Sequence, residues 1–318
     1  MLSVIVVSWN TREILQGCLL AVHRHLPAAA HEVIVVDNAS ADGSREMVAE
    51  RFPDARLLLN TENLGFGRAA NQGMAAARGR FVLLLNSDAM LMDDSLLGLV
   101  ERLERDPSLG LIGPRILLED GRLQFSARRF PSLGRLALSD LWLHRFLSRA
   151  GAAERLLGAY WAHDCEREAD WLVGACLLLR REVYEQTGGF DPAIFMYGEE
   201  VEWCHRIREK GWRIVFSPQA RVLHLNHRSA DRLFGDAGRI DRCLLAEDDL
   251  LRRWQGWWAP AVAGALRLAG GLLRLMLFGL RARLRQGDAY ATDVASDGRS
   301  TLAHYGRRLW GTTWRPTT

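Results

Sequence analysis

The sequence predicts an α/β fold built on an open, mostly parallel central sheet with flanking helices. Three observations predict it. Runs rich in Val, Ile and Leu recur at 3–7, 32–37, 56–59 and 81–85, and all but the third are continuous, as in strands buried on both faces of a parallel sheet. Segments 12–25, 44–52 and 67–78, which lie between them, carry apolar residues at helical spacing. The resulting β-α-β-α-β-α-β order closes into one sheet through right-handed crossovers.

A helix at 93–106 and a strand at 109–116 are expected next. Segment 119–168 is weakly periodic and rich in arginine, and reads as an insertion or an acceptor-side loop. Beyond it the pattern gives a strand at 171–179, a short helix, the turn Gly188-Gly189-Phe190-Asp191, a helix at 199–210 and a strand pair at 213–216 and 221–225. The catalytic domain is thus expected over 1–229, a helical and membrane-associating extension over 230–286, and a poorly ordered polar tail over 287–318. In that extension 257–285 is apolar, with Arg267, Arg274 and Arg281 seven residues apart on one face. As a membrane span it would place arginines near the bilayer centre, at a cost of roughly several kcal/mol each. An interfacial amphipathic helix with arginines toward the headgroups fits better, a helix packed on the protein being the alternative.

Composition narrows the class. With 48% hydrophobic and 25% charged residues over 318 positions, the chain can bury a full core. Its net charge of +3 and its single lysine, Lys210, form no basic run, so no nucleic-acid partner is expected. Cys18, Cys165, Cys176, Cys204 and Cys243 form no CxxC pair, which argues against a zinc site or a disulfide framework and fits a reducing compartment. The first residues read as a strand and not as a signal peptide, so a cytoplasmic location is expected.

Ligands of open α/β sheets bind outside the carboxyl ends of the strands. Here those ends carry Ser8-Trp9-Asn10, Asp37-Asn38 and Asn86-Ser87-Asp88. A carboxylate at Asp37 can accept the ring N–H of uracil or thymine; it can equally form an Asx-turn, with Ser40 or Asp42 capping the next helix. In Asn63-Leu64-Gly65-Phe66-Gly67-Arg68-Ala69-Ala70-Asn71, two glycines at a helix start allow close backbone approach to an anion. Asp88 can hold Mg²⁺ or Mn²⁺, which neutralises a diphosphate leaving group, or can simply cap a helix. Glu199, Glu200 and Glu202 crowd one helix start, favoured by its dipole, and crowding raises at least one carboxyl pKa, as suits a general base. His224 ends a later strand and reads as a metal or phosphate ligand or as a structural histidine.

In this order the motifs resemble the family 2 glycosyltransferases of GT-A fold, particularly rhamnosyltransferase-like bacterial members, over roughly 2–229. The resemblance implies Asp37 at the nucleotide base and Asp88 at the metal, in the family's Asp-x-Asp position. It places the catalytic base in the Glu199-Glu200 pair after Phe-Met-Tyr-Gly. It puts His224 at the metal and diphosphate, Ser229 at a phosphate, and Trp171, Gly174, Ala175 and Arg206 on the acceptor and sugar side. Two positions depart from the family pattern: Asn86 replaces the first acid of Asp-x-Asp, and Glu200 stands where Asp is usual, one methylene longer.

The expected activity is inverting, metal-dependent transfer from a dTDP- or UDP-sugar, rhamnose among the candidates, to a carbohydrate or lipid-linked acceptor at the inner face of the membrane. An inactive nucleotide-sugar-binding scaffold is the alternative. A nucleotidyltransferase fits less well, because 7–11 reads Val-Ser-Trp-Asn-Thr where a Gly- and Lys-rich triphosphate loop would be expected.

Overall fold

The structure is a computed structural model that describes residues 1–143, 161–225 and 228–279, and outside these 156, 158, 294, 296, 298, 299 and 301–306; of 228–237 and 239 it describes the backbone alone. The chain divides into two compact units, Met1–Phe130 with Gly158–Leu233, and Pro131–Leu157 with Phe234–Thr318.

The first unit is a mixed α/β layer structure. Strands β1 (Leu2–Ser8), β2 (His31–Asp37), β3 (Arg56–Leu59) and β4 (Phe81–Asn86) alternate with helices α1 (Arg12–His25), α2 (Ser44–Arg51) and α3 (Phe66–Ala76). They pair in parallel in the order β3-β2-β1-β4, which brings Ser8 level with Asp37 and Val7 level with Asn86. Next come β5 (Ala89–Leu91), α4 (Leu96–Arg105), β6 (Leu109–Leu118), β7 (Leu123–Gln124), β8 (Ala127–Arg128) and, from the second unit, α5 (Leu133–Asp140). The first unit continues with β9 (Arg167–Glu168), β10 (Trp171–Leu172), β11 (Cys176–Arg180), α6 (Arg181–Thr187), α7 (Glu199–Glu209) and β12 (Arg213–His224).

The sheet is less parallel than the sequence suggests. Strand β11 enters antiparallel between β4 and β6, and β12 then runs parallel to β6. The single strand expected at 171–179 is two, β10 in a small separate sheet with β8, and β11 in the main sheet. The break falls at Val173-Gly174-Ala175, where Val173 N–H donates to Ser126 O and Ala175 O accepts from Asn86 N–H. The pair expected at 213–216 and 221–225 is one strand whose register shifts between Phe216 and Arg221, a bulge containing Pro218, which has no N–H for the ladder. Segment 119–168 is also not simply an inserted loop, for it supplies β7, β8 and β9.

Both faces of the sheet are dry. Val4, Val6, Val35, Leu83 and Leu85 pack with Leu15, Leu19, Leu99 and Leu103 of α1 and α4. The alternate residues Ile5, Ile34, Val36, Leu84 and Leu177 pack with Met74 of α3, Trp203 of α7 and Phe216. Period-2 alternation thus holds one helix layer on each face.

The second unit contains α5, most of α8 (Arg228–Gln255) and α9 (Ala259–Arg274), which passes into a π turn at Leu275–Gly279. Leu136, Leu251, Ala259 and Ala263 form its core. Arg267, expected to face lipid headgroups, is 2% exposed and turned inward. Its guanidinium meets Asp248 at 2.7 Å, and also Glu247 and the Tyr305 hydroxyl. Arg274 likewise lies 3.6 Å from Asp140, while Arg281 falls outside the described residues. Burying a guanidinium demands partners, and these acids supply them. Large apolar side chains are exposed on α9 and beside its ends: Trp257 and Trp258 before it, Val262 and Leu272 on it, Met276 and Leu277 in the π turn. Ala259–Gly279, 21 residues at a mean hydropathy of 1.6, is long and apolar enough to cross a membrane by length and composition. Most of the tail expected to be poorly ordered lies outside the described residues; within it 301–306 is helical and Tyr305 is buried.

Candidate functional site

The carboxyl ends of β1, β2 and β4 meet at one edge of the sheet. A chain of hydroxyls ties them together: Ser8 Oγ lies 3.1 Å from Thr11 Oγ1, which donates to Ser87 Oγ at 3.2 Å. Asn10 adopts a left-handed φ of 53° there, so that its N–H reaches Ser40 Oγ at 3.0 Å and its Oδ1 accepts from Ala41 N–H at 2.8 Å. Trp9 adjoins this loop, half-buried.

Asp37 is 1% exposed. Its Oδ1 accepts from Ser40 N–H and from Arg45 Nε, both at 3.0 Å. Its Oδ2 is buried and has no hydrogen-bond partner among the described residues. Oδ1 thus serves the turn, while Oδ2 stays unpartnered. A buried acceptor without a donor is costly, and a ligand donor there removes the cost. Asp42 accepts Ser44 N–H at 3.1 Å just before α2, whose N-cap is Gly43.

The glycine-rich segment packs closely on a later loop of the chain. Gly65 has φ 83°, and a Cβ there would collide with the Phe195 carbonyl. Asn38 holds this loop through Asn63 Oδ1 at 2.7 Å and Leu64 N–H at 3.1 Å. Asn71 bonds Phe190 twice, at 2.8 and 2.9 Å. The close approach that Gly65 permits is thus to the 190–197 loop, which Asn71 ties to α3, while Asn38 and Asn63 hold the Gly65 segment itself beside β2.

This loop delivers the acid pair. Tyr197 (φ 70°) and Gly198 (φ 85°) turn the chain sharply into α7, whose first two residues are Glu199 and Glu200. Glu199 is buried and Glu200 half-buried, and each has an enclosed Oε2 without a partner among the described residues. Burial raises the Glu199 pKa well above the ordinary carboxylic range, and the Glu200 charge raises it further. Burial also raises Glu200, partly offset by backbone N–H groups and the Arg128 charge. Two such neighbours hold their protons unequally, Glu199 being the more strongly raised. Gly174 places its backbone beside Glu200, an ideal Cβ there lying 3.8 Å from Glu200 Cβ. Ala175 in turn joins Asn86 at 3.0 Å, so the acid pair stands next to the end of β4.

On the other side of β4, Asp88 and His224 meet. Both are about 5% exposed or less, and His224 Nε2 lies 3.2 Å from Asp88 Oδ1. Leu225 N–H donates to Asp88 O at 2.9 Å, and His224 Nδ1 lies 2.8 Å from Gln124 Oε1. The His224 ring thus bridges Gln124 and Asp88. One carboxylate oxygen and one imidazole nitrogen would suit Mn²⁺ or Mg²⁺ as ligands. Among the described residues no group of three or more His, Cys, Asp or Glu gathers, so the protein offers a partial coordination sphere. An open cleft of about 460 Å³, lined by Leu118, Glu119, Asp120, Arg122, His224 and Leu225, adjoins this pair.

The acceptor-side assignments separate. Trp171 donates from Nε1 to Arg129 O at 2.9 Å, and the Arg128 guanidinium stands 5.7 Å from its ring centroid. Arg206 is not with the others: its guanidinium binds Glu202 at 2.7 Å and the carbonyls of Thr187 and Gly189, clamping the turn before the acid loop. The side chain of Ser229 lies outside what the structure describes. Sequence reasoning missed Arg45 and Gln124. Arg45 carried a faint signal, a cation in the first turn of a helix, where the macrodipole disfavours it.

The sequence profile described as Glycosyl transferase family 2 matches residues 3–188. The N-acetylglucosaminyl-diphospho-decaprenol L-rhamnosyltransferase of Mycobacterium tuberculosis is 34% identical over 256 residues, covering 74% of this chain and 79% of that protein. Rhamnosyltransferase WbbL of Escherichia coli is 25% identical over 185 residues, 55% of this chain and 66% of that one. Among solved structures, the mannosyltransferase PcManGT from Pyrobaculum calidifontis, in complex with GDP-Man and Mn²⁺, superimposes with a TM-score of 0.58 at 20% identity, covering 98% of this chain and 88% of its own. GalNAc-T7 with UDP, GalNAc and Mn²⁺ gives 0.53 at 17% identity over 70% and 43%. At these identities the structural likeness speaks for the GT-A fold.

Proposed function

We propose a specific reaction for this chain, which belongs to glycosyl transferase family 2 and is a rhamnosyltransferase-like glycosyltransferase: inverting transfer of a sugar, rhamnose first among candidates, from a dTDP- or UDP-sugar to an acceptor hydroxyl. The observation that carries it is the buried Glu199-Glu200 pair, with its unpartnered oxygens beside Gly174. Glu200 takes the proton of the acceptor hydroxyl as its oxygen attacks the anomeric carbon. The bond from that carbon to the diphosphate breaks, and the nucleoside diphosphate leaves on the opposite face. One base and one displacement invert the anomeric centre.

Asp37 Oδ2 accepts the imide N–H of the base, and the Asp88–His224 pair holds the divalent ion. Mg²⁺ or Mn²⁺ supplies Lewis-acid neutralisation of the departing diphosphate. Glu200, longer by a methylene than the Asp usual in the family, reaches its hydroxyl from a helix start that Gly198 lets turn in sharply.

The acceptor is read as a lipid-linked carbohydrate in cell-surface polysaccharide or glycolipid assembly. The name of the mycobacterial relative specifies a decaprenol-linked acceptor, and the outward face of α9 is apolar along its length. That face supports a peripheral seat on the inner membrane leaflet, with Trp257, Trp258, Leu272 and Met276 toward lipid and Arg267 and Arg274 paired with acids. Incubating the protein with dTDP-rhamnose, Mn²⁺ and polyprenyl-diphosphate N-acetylglucosamine tests the reaction. A disaccharide-lipid of inverted anomeric configuration is expected. Retained configuration would refute the mechanism, and nucleotide-sugar binding without turnover on any acceptor would favour a binding scaffold.

A further inference from the structure

We propose that Arg128 is a specificity-determining residue: it binds the diphosphate of the acceptor and so selects a sugar carried on an anionic lipid over a neutral glycoside. This rests on the reading of Glu200 as the base and of the acceptor as lipid-linked.

The fold builds the subsite on the small sheet of β8 and β10. Trp171 pairs with Arg128 and Leu172 with Ala127, and the ladder continues through Val173 N–H, which donates to Ser126 O at 2.9 Å. Opposed residues of an antiparallel pair present their side chains to one face, so Arg128 and Trp171 share a face while Ala127 and Leu172 turn into the core. The exposed Arg128 guanidinium stands 5.7 Å from the Trp171 ring centroid, and its Nε donates to Phe125 O at 3.2 Å. Trp171 is itself fixed, its Nε1 donating to Arg129 O at 2.9 Å, and Arg129 pairs with Asp170 at 2.9 Å. A guanidinium held by its Nε and by a ring is oriented before any ligand arrives, and its planar fork matches two phosphate oxygens at once.

From this ribbon the chain leads directly to the base. Gly174 lies three residues beyond Trp171, no more than about 11 Å away even in an extended chain. Among the described residues an added Cβ at Gly174 would meet nothing within 4 Å except Glu200 Cβ, so open space adjoins the base there. Burial raises the Glu200 pKa, while backbone N–H groups and then the Arg128 charge lower it, so the guanidinium acts within reach of the base. A fixed cation near a general base weakens that base unless the substrate brings an anion to it. A diphosphate on Arg128 cancels the charge as the acceptor arrives, and the sugar ring fills the space beside Gly174. Ser126, opposite Val173 and 2% exposed, has an Oγ without a partner among the described residues, which an oxygen of the same ligand completes. The donor diphosphate is read at Asp88 and His224 on the other side of β4, which leaves the anion at Arg128 to the acceptor.

The test is isothermal titration of the full chain, in EDTA, with N-acetylglucosaminyl geranyl diphosphate and with its neutral analogue, geranyl N-acetylglucosaminide. Chelation keeps the diphosphate off any metal. Wild type is expected to bind the diphosphate ligand at least about tenfold more tightly, the effect of a charge-assisted contact. Arg128→Gln is expected to lose most of that preference and Arg128→Lys to keep part of it, while UDP with Mn²⁺ binds wild type and both variants within about twofold. Equal affinity of wild type for the two glycosides, or an undiminished preference in Arg128→Gln, overturns the proposal. So does a loss of UDP affinity in Arg128→Gln as large as the loss for the diphosphate ligand, which would assign the guanidinium to the donor. If the preference follows Arg128 but wild type with dTDP-rhamnose and Mn²⁺ transfers nothing to the diphosphate ligand, the transfer reading falls while the anion site stands.

Discussion

Arg45 Nε donates to Asp37 Oδ1 at 3.0 Å, and this one contact decides which face of the carboxylate remains for a ligand. With Ser40 N–H on the same oxygen, Oδ1 is saturated and Oδ2 is the single acceptor left. A single acceptor matches the lone imide N–H of uracil or thymine, whereas the adjacent N1–H and N2–H₂ donors of guanine ask for two. Arg45→Ala is therefore expected to weaken UDP binding about tenfold, the loss of one charge-assisted hydrogen bond, and to narrow the preference over GDP. Isothermal titration with both nucleotides checks it; unchanged UDP affinity would remove Arg45 from the base site.

The buried acid pair makes stability depend on pH. Both carboxyls have folded pKa values raised above the ordinary 4.5, so the native state holds protons that the unfolded chain has released. Their contribution is fully present below about 4.5 and is lost as pH rises through the raised folded values. Glu199→Gln should flatten this decline and raise the melting temperature at pH 8 relative to wild type. Parallel pH–melting curves for the two proteins would contradict the assignment.

Arg267 meets the buried Asp248, 1% exposed as a side chain, and Glu247. Removing it takes the cation out of a buried ion pair, and Arg267→Met should cost about 3 kcal/mol or more in urea unfolding of the second unit. A loss below about 1 kcal/mol, the scale of an exposed pair, would show that the arginine faces outward after all.

The exposed face of α9 predicts lipid binding through apolar contact. The double substitution Leu272→Glu with Met276→Glu alters residues that are 49% and 70% exposed, so folding should be kept. Cosedimentation with liposomes should be lost. Retained binding would show that this face does not seat on the bilayer.

Much of the fold was legible because the strands obey simple patterning. The ranges 12–25 and 56–59 coincide with α1 and β3, and the other early elements differ by a residue or two at their ends. What patterning could not show was long-range pairing. The run 171–179 is apolar throughout, and only its neighbours Ser126 and Asn86 reveal the break at Val173–Ala175. Arg267, Arg274 and Arg281 recur every seven residues, but spacing alone cannot tell an outward stripe from side chains paired as Arg267 and Arg274 are, with Glu247, Asp248 and Asp140. At the site, Asp37, Asp88 and the Glu199-Glu200 pair stood at element ends, where an isolated carboxylate is conspicuous. The packing role of Gly65 and Asn71 was not legible, because a glycine for a ligand and a glycine for the 190–197 loop read alike. Gln124 sat in a segment with no periodicity, and its partner lies a hundred positions away.

The central claim is that Glu200 is the base of a glycosyl transfer, and Glu200→Gln tests it most directly. Initial transfer rates and UDP dissociation constants should be measured together for wild type and variant. Transfer should fall about 100-fold or more, the usual worth of a general base, while UDP affinity stays within about twofold. Transfer near the wild-type rate would contradict the account and pass the role of base to Glu199.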